Sequence, residues 1–355
     1  MTAGVSSVGT DMSVADRQEH NRVVAAWLLV CCVTIFAMVV LGGVTRLTGS
    51  GLSMVQWAPI MGVLPPLNAA EWQTAFDLYK QYPEYQIKNL GMSLEGFQSI
   101  FYFEWAHRVL GRTIGVMFAI PFVYFLIRGQ ISRPMIPKML ALFLLGGLQG
   151  LMGWYMVKSG LVDVPHVSQY RLTAHLSLAL VIYAYMFWLV MDLLAPARNA
   201  QRSHGGLALA SLGLLAFAFL TVVSGGFVAG LKAGFAFNTF PLMNGQWIPE
   251  NIFYMQPLWH NFFENIATVQ FTHRLLAISL AVCVLVFIRS AWQQTTAARL
   301  RLGLMLLLLA LTTQVALGIT TLVLAVPVPL AAAHQAGAVL LLTAMLFVVH
   351  QLRRL

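Results

Sequence analysis

Four of the nine histidines in this sequence, His107, His175, His273 and His334, fall inside apolar stretches long enough to cross a bilayer. An ionisable side chain at that depth is costly and marks function by default. Two neutral imidazoles projecting from facing helices of a bundle make an axial pair for a haem iron. Zinc or copper would take three or four ligands close together, and no cysteine or third histidine accompanies either pair. The reading is therefore one haem per pair, with His107 and His175 as one set of iron ligands and His273 and His334 as the other. For any single histidine, a merely hydrogen-bonded imidazole is the alternative; four at equivalent depth argue against it. His20, His166, His204, His260 and His350 lie in tails, loops or a span end and are expected to be solvated.

Around these histidines the two pairs differ in one respect. Glu104 stands one helical turn before His107 and so shares its face, whereas the corresponding residue before His273 is the neutral Gln270. A desolvated carboxyl has a raised pKa and suits proton transfer, which makes Glu104 the candidate catalytic residue. An ion pair with Arg108 or Arg112 is the alternative. Arg108 and Arg274, each following its histidine, are candidate propionate partners through charge-assisted hydrogen bonds, with snorkelling to lipid headgroups as the other reading. Gly42, Gly43, Gly146, Gly147, Gly150, Gly153, Gly225, Gly226 and Gly230 would let backbones approach a flat macrocycle, or serve ordinary helix packing.

The elements that must position these groups follow from composition. Of 355 residues, 59% are hydrophobic and 9% charged, with a mean hydropathy of +0.76, against about 25% charged in soluble domains. This excludes a disordered chain, a disulfide-stapled secreted domain and an ordinary cytosolic enzyme. About 20 apolar residues cross the hydrocarbon core. Residues 23–45, 139–157, 172–191 and 203–231 qualify, and 302–352 makes two spans divided at Pro327 and Pro329. Spans at about 103–127 and 267–288 carry polar residues in their first turns. The fold class is an all-α membrane protein with eight transmembrane helices. A net charge of +9 suggests nucleic acid only until the basic residues are placed: twelve of the 21 fall in segments on one side and six on the other. That asymmetry puts both termini in the cytoplasm. The N-terminal segment resembles neither a secretion signal nor a transit peptide, which favours a bacterial cytoplasmic (inner) membrane. Cys31, Cys32 and Cys283 fall within spans and read as small buried apolar residues, and no disulfide is implied.

The first four spans can be laid on the last four. Residues 104–108 align with 270–274 at an offset of 166, Gln149 and Gly153 with Gln314 and Gly318 at 165, His175 with His334 at 159, and Gly42-Gly43 with Gly225-Gly226. Two repeated four-helix bundles are the economical organisation: a cytoplasmic tail at 1–22, a first repeat at 23–195 and a second at 196–355.

These residues resemble a known family. The run Gly42-Gly43-Val44-Thr45-Arg46-Leu47-Thr48-Gly49-Ser50-Gly51-Leu52-Ser53, then Pro65-Pro66-Leu67-Asn68, Tyr82-Pro83-Glu84-Tyr85, Glu104 to Gly111 and Tyr170-Arg171-Leu172-Thr173-Ala174-His175 are similar to haem A synthases. So are Gly230-Leu231-Lys232-Ala233-Gly234 and Asn238-Thr239-Phe240-Pro241-Leu242-Met243. The likeness runs from about residue 22 to 350 and, through the long first loop, points to the alphaproteobacterial and mitochondrial branch. The resemblance implies successive hydroxylation of a methyl group of haem O to the formyl group of haem A for cytochrome oxidase. It implies a resident haem b on His273 and His334, and a substrate half containing His107, His175 and Glu104. Haem O synthase, oxidase assembly factors, an unidentified electron donor and a second copy of the chain are the partners it brings into view. The outer cysteine pair of some bacterial members has no counterpart, so no thiol relay operates there. The residues alone reach a two-haem membrane protein, which leaves a diheme cytochrome passing electrons from quinol, and a repeat-built transporter, as other classes.

Overall fold

The computed structural model describes residues 14–354 apart from 57–60, 163–164 and 196–204. The reading of His204 as solvated, most of the N-terminal tail and the division at 195/196 lie outside the described residues. Among the described residues, eight helices are long and apolar enough to cross a membrane: Val14–Leu47, Leu94–Ile127, Ile136–Lys158, Gln169–Leu194, Gly205–Gly230, Ile266–Gln294, Ala298–Val323 and Val328–Leu352. We number them spans one to eight. Within lipid only a helix satisfies every backbone polar group internally, and no β-strand is present among the described residues.

Two helices start well ahead of the apolar stretch that defines them. Span one begins at Val14 rather than 23, its first turns carrying exposed charged residues. Span two begins at Leu94 rather than about 103, where the Ser93 side chain accepts from the Gly96 N–H and satisfies one of the open donors. The extra turns of span two carry Phe97 and Phe101, on which a loop helix, Ala69–Tyr79, packs Trp72, Phe76 and Tyr79. Trp72 meets Phe101 edge-on at 5.1 Å, and Phe76 stacks on Phe97 at 5.1 Å. A capping pair starts the loop helix, Asn68 accepting from the Glu71 N–H while the Glu71 carboxylate accepts from Leu67 N–H and Asn68 Nδ2. Aromatic packing thus fixes the long first loop to the mouth of the first half.

Each half closes on itself: span one contacts two and four, and span three contacts two and four; five contacts six and eight, and seven contacts six and eight. The halves meet through spans one with eight, four with five, and four with eight. The connections at 48–93, 159–168, 231–265 and 324–327 join helices at one end of the bundle, and the start of span one, the end of span eight and the remaining helix ends lie at the other. We call these the long-loop and short-loop ends.

Apolar packing is concentrated toward the short-loop end. One cluster joins Leu28, Cys32 and Ile35 of span one to Phe118, Phe122, Met139, Leu142, Leu189, Leu342 and Leu346. The second joins Leu280, Val284, Leu304, Leu307, Met345 and Val348. The layer nearer the long-loop end holds glycines, histidines and glutamines instead. Of the cysteines, Cys31 and Cys32 are buried, whereas Cys283 is exposed on the outward face of span six. A lipid-facing position accepts a small thiol as readily as a core does.

Candidate functional site

All four span histidines fall in the long-loop layer, and each is seated against a glycine of the neighbouring span. Gly42 faces His107, Gly153 faces His175, Gly225 faces His273 and Gly318 faces His334. A Cβ added at these glycines would stand 3.0 Å from Nε2 of His107 and 3.1, 3.1 and 2.9 Å from Cε1 of the other three. Carbon contacts are optimal at about 3.5–4.0 Å, so only glycine admits the rings where they are. The arrangement is the same in both halves: span one seats the histidine of two and span three that of four, while five serves six and seven serves eight. Each of these histidines stays only half-buried, so part of its surface remains free of protein contact. His107 lies within Coulombic range of His175, and His273 within range of His334.

The nitrogens separate holding from binding. Nδ1 of His273 shares a hydrogen bond with the Ser224 hydroxyl at 2.8 Å, which fixes the ring and leaves Nε2 for another partner. Nδ1 of His175 and of His334 are buried without a hydrogen-bond partner among the described residues, as are the repeat-equivalent amide oxygens of Gln149 and Gln314. Buried polar atoms are normally paired, so these orphan imidazole and amide atoms mark the same layer in both halves as one that the chain's own residues leave unsatisfied. No group of three or more His, Cys, Asp or Glu converges on a metal site among the described residues. Paired imidazoles fit a haem iron, which accepts up to two ligands from protein.

Glu104 is buried, 3% exposed, and its carboxylate has four donors around it. Oε2 accepts from the Ser53 hydroxyl at 2.7 Å and the Met54 N–H at 2.8 Å; Oε1 accepts from Arg108 Nη2 at 2.6 Å and Nε at 3.1 Å. The ion pair is thus with Arg108, while Arg112 donates to the Gly62 carbonyl at 3.2 Å. Arg108 also donates to the carbonyls of Met54 and Gln56. In the second half, Gln270 donates to the carbonyls of Ala233 and Phe237, and Arg274 to those of Phe237, Thr239 and Leu242. Both arginines therefore tie the long loops down. The halves differ in polarity: the first loop offers hydrogen-bond donors to an anion, the second offers carbonyls to an amide.

Gly43 packs under Gln335 of span eight, Gly226 under Thr173 and Gly230 under Gln169, all three across the seam between halves, and a Cβ at Gly146, Gly147 or Gly150 would meet nothing within 4 Å. Sequence reasoning missed Ser53 and Met54, which carry no signal beyond lying in a matched loop run. It also misplaced His350, which is 2% exposed and not solvated. Its Nε2 pairs with Asp192 of span four at 3.0 Å, and Trp188 stands edge-on to its ring at 5.1 Å, so span four covers a histidine that the sequence leaves at a helix end.

Fold and site together define a multi-pass helical membrane protein with a glycine-seated pair of intramembrane imidazoles in each four-helix half. The chain belongs to the cytochrome oxidase assembly protein family, COX15-CtaA, whose model matches residues 25–346. Among similar curated proteins, the haem A synthase of Nitrosospira multiformis is 56% identical over 336 residues, covering 94% of each chain. That of Nitrosomonas eutropha is 50% identical over 351 residues, covering 98% of this chain and 99% of its own. The haem A synthase of Rhodospirillum centenum is 48% identical, covering 94% and 89%.

Proposed function

We propose that this protein is a haem A synthase, a membrane oxidoreductase that oxidises a methyl group of haem O to the formyl group of haem A by successive hydroxylation for cytochrome oxidase biogenesis. The observation that carries the reading is the duplicated pair of glycine-seated imidazoles with an anion kept beside only one pair. An electron carrier with two permanent haems gives no reason for that difference. The near full-length identity to haem A synthases supports the same assignment.

In this reading His273 and His334 would hold the iron of a resident haem b in residues 196–355, and His107 and His175 would hold that of the substrate haem O in residues 23–195. A bound haem b supplies one-electron redox chemistry. The chain's own residues do the rest: Ser224 sets the orientation of His273, the four glycines fix ring position, and Glu104 with Arg108 holds residues 53–56 over the substrate half. A carboxylate saturated by four donors is a positioning group first, and proton transfer through it requires releasing at least one of them. The protein sits in the bacterial cytoplasmic membrane with both termini inside and the long loops outside, close to haem O synthase and oxidase assembly factors. Its electron donor acts from the membrane or its surface, and a homo-oligomer is compatible with this arrangement.

Extraction and chromatography of the bound haems test the function. Haem b together with haem O or haem A is expected, and haem b alone would restore the electron carrier. His273→Ala is expected to remove most haem b, and retention of a normal low-spin spectrum would overturn the ligand assignment. Reporter fusion at residue 82 is expected to be active only outside the cytoplasm.

A further inference from the structure

Arg46 lies in the last turn of span one, and its side chain makes no hydrogen bond or ion pair among the described residues, although it is only partly exposed. The arginines near the histidines behave differently, since Arg108, Arg112 and Arg274 all donate to loop carbonyls. Its place on the helix is specific. A residue advances about 100° per step, so Arg46 lies in angle between Gly42 and Gly43, one turn nearer the long-loop end. Gly42 is the residue against which the His107 ring rests, and Gly43 meets Gln335 of span eight. Arg46 therefore sits about one turn beyond the glycine on which the His107 imidazole rests, on the side of span one that meets the seam between halves.

Its surroundings are cationic. His166, Lys88 and Lys232 gather at the same mouth: Nε2 of His166 is 3.2 Å from the Gly230 carbonyl, and Lys88 donates to the Pro165 carbonyl. Burial, and then the charges of Lys88, Lys232 and Arg46, hold the His166 imidazole below its ordinary value. Glu84 is buried within electrostatic reach of Lys88 and Lys232. The second half lacks the feature, because the residue four after Gly225 is Ala229 where the residue four after Gly42 is Arg46.

We infer that Arg46 is the carboxylate anchor of the substrate half, pairing with a propionate of the haem whose iron lies on His107 and His175. The inference rests on the first half being the substrate half. A guanidinium pairs with a carboxylate bidentately, and such a contact positions the macrocycle in plane while the imidazoles hold its centre. A lipid phosphate offers the same anionic oxygens, so the test separates the two sources.

Full-length protein carrying haem b is purified in non-ionic detergent and titrated with haem O and with its dimethyl ester, following the Soret band. The wild type is expected to bind the diacid about tenfold to a hundredfold more tightly than the ester, the range of a charged hydrogen-bonded pair. Arg46→Gln is expected to lose that preference with ester affinity and haem b content unchanged. An undiminished preference, or an equal loss for acid and ester, overturns the inference. Should Arg46→Gln lose haem b, Arg46→Lys decides: its acid-to-ester ratio must fall below wild type because an ammonium cannot pair bidentately, and an unchanged ratio overturns the role. Added phosphatidylglycerol is expected to leave the preference intact, and erasing it assigns the guanidinium to lipid and overturns the inference. The underlying reading fails separately: wild-type haem O binding by His107→Ala removes the substrate half itself.

Discussion

Replacing Glu104 by Gln changes one atom's worth of volume and reverses the hydrogen-bonding character of a buried position. The wild-type carboxylate accepts from Ser53, Met54 and twice from Arg108. An amide in the same rotamer points a donor either at Ser53 and the Met54 N–H or at the two Arg108 N–H groups, and each orientation leaves two donors without an acceptor. A buried unsatisfied donor costs about 1–3 kcal/mol, and breaking a buried ion pair about 3–5 kcal/mol. Arg108 retains the Met54 and Gln56 carbonyls, which limits the loss, and about 3 kcal/mol is the working value. That is about a hundredfold in the opening equilibrium of residues 53–56. Gln270 does not contradict this, because its loop presents the carbonyls of Ala233 and Phe237. Amide hydrogen exchange at Met54 is expected to speed up about a hundredfold in Glu104→Gln, with haem b retained in the other half. Membranes at matched protein level should accumulate haem O or its hydroxylated intermediate. Unchanged exchange at Met54 would refute the hydrogen-bond argument, and normal haem A would remove Glu104 from the mechanism.

Gly318→Ala places a methyl 2.9 Å from His334 Cε1, so most haem b should be lost; alanine also favours helix by about 1 kcal/mol, so thermal stability of the haem-free protein should not fall. Gly147→Ala, which meets open space, is the control, and full haem b in Gly318→Ala by pyridine haemochrome assay would dismiss the seat. Burial raises the Glu84 carboxyl from 4.5 to about 7, and its folded form thus holds a proton that the unfolded form has released between those values. Stability conferred by that proton is present below about pH 4.5 and lost as pH rises through 7, up to about 3 kcal/mol. Glu84→Gln should therefore gain thermal stability relative to wild type at pH 8 and little at pH 4.5; an equal difference at both would refute the assignment.

The spans were legible because length and hydropathy alone decide membrane crossing. Their ends were less so: Leu94 to Tyr102 is helical because Phe97 and Phe101 pack against Trp72 and Phe76, a contact between segments some twenty residues apart that no window of local hydropathy contains. Four histidines and the Glu104/Gln270 difference could be found by aligning the chain with itself. What alignment could not provide was which groups touch. Gly42 and Gly318 read as packing residues until an imidazole is seen resting on each, and Ser53 and Met54 are anonymous until the Glu104 carboxylate bonds them. His350 shows the opposite failure, since distance along the chain from the apolar centre of span eight said nothing about the cover supplied by Trp188 and Asp192.

Gly43 and Gly226 hold matched positions in the two halves, yet one lies under the Gln335 amide and the other under Thr173. Two identical four-span subunits related by a two-fold axis along the membrane normal would be bound to use one and the same contact twice, so that any change in it would be felt on both sides at once. A single chain carrying both copies is released from that constraint. Each seam can then acquire its own residues, and with them its own rigidity, without the other changing. An asymmetric pair of sites, one keeping its haem and one turning it over, becomes available to a fused protein in a way that it is not to a homodimer, and the unequal neighbours of these two glycines are where that freedom is written into the fold.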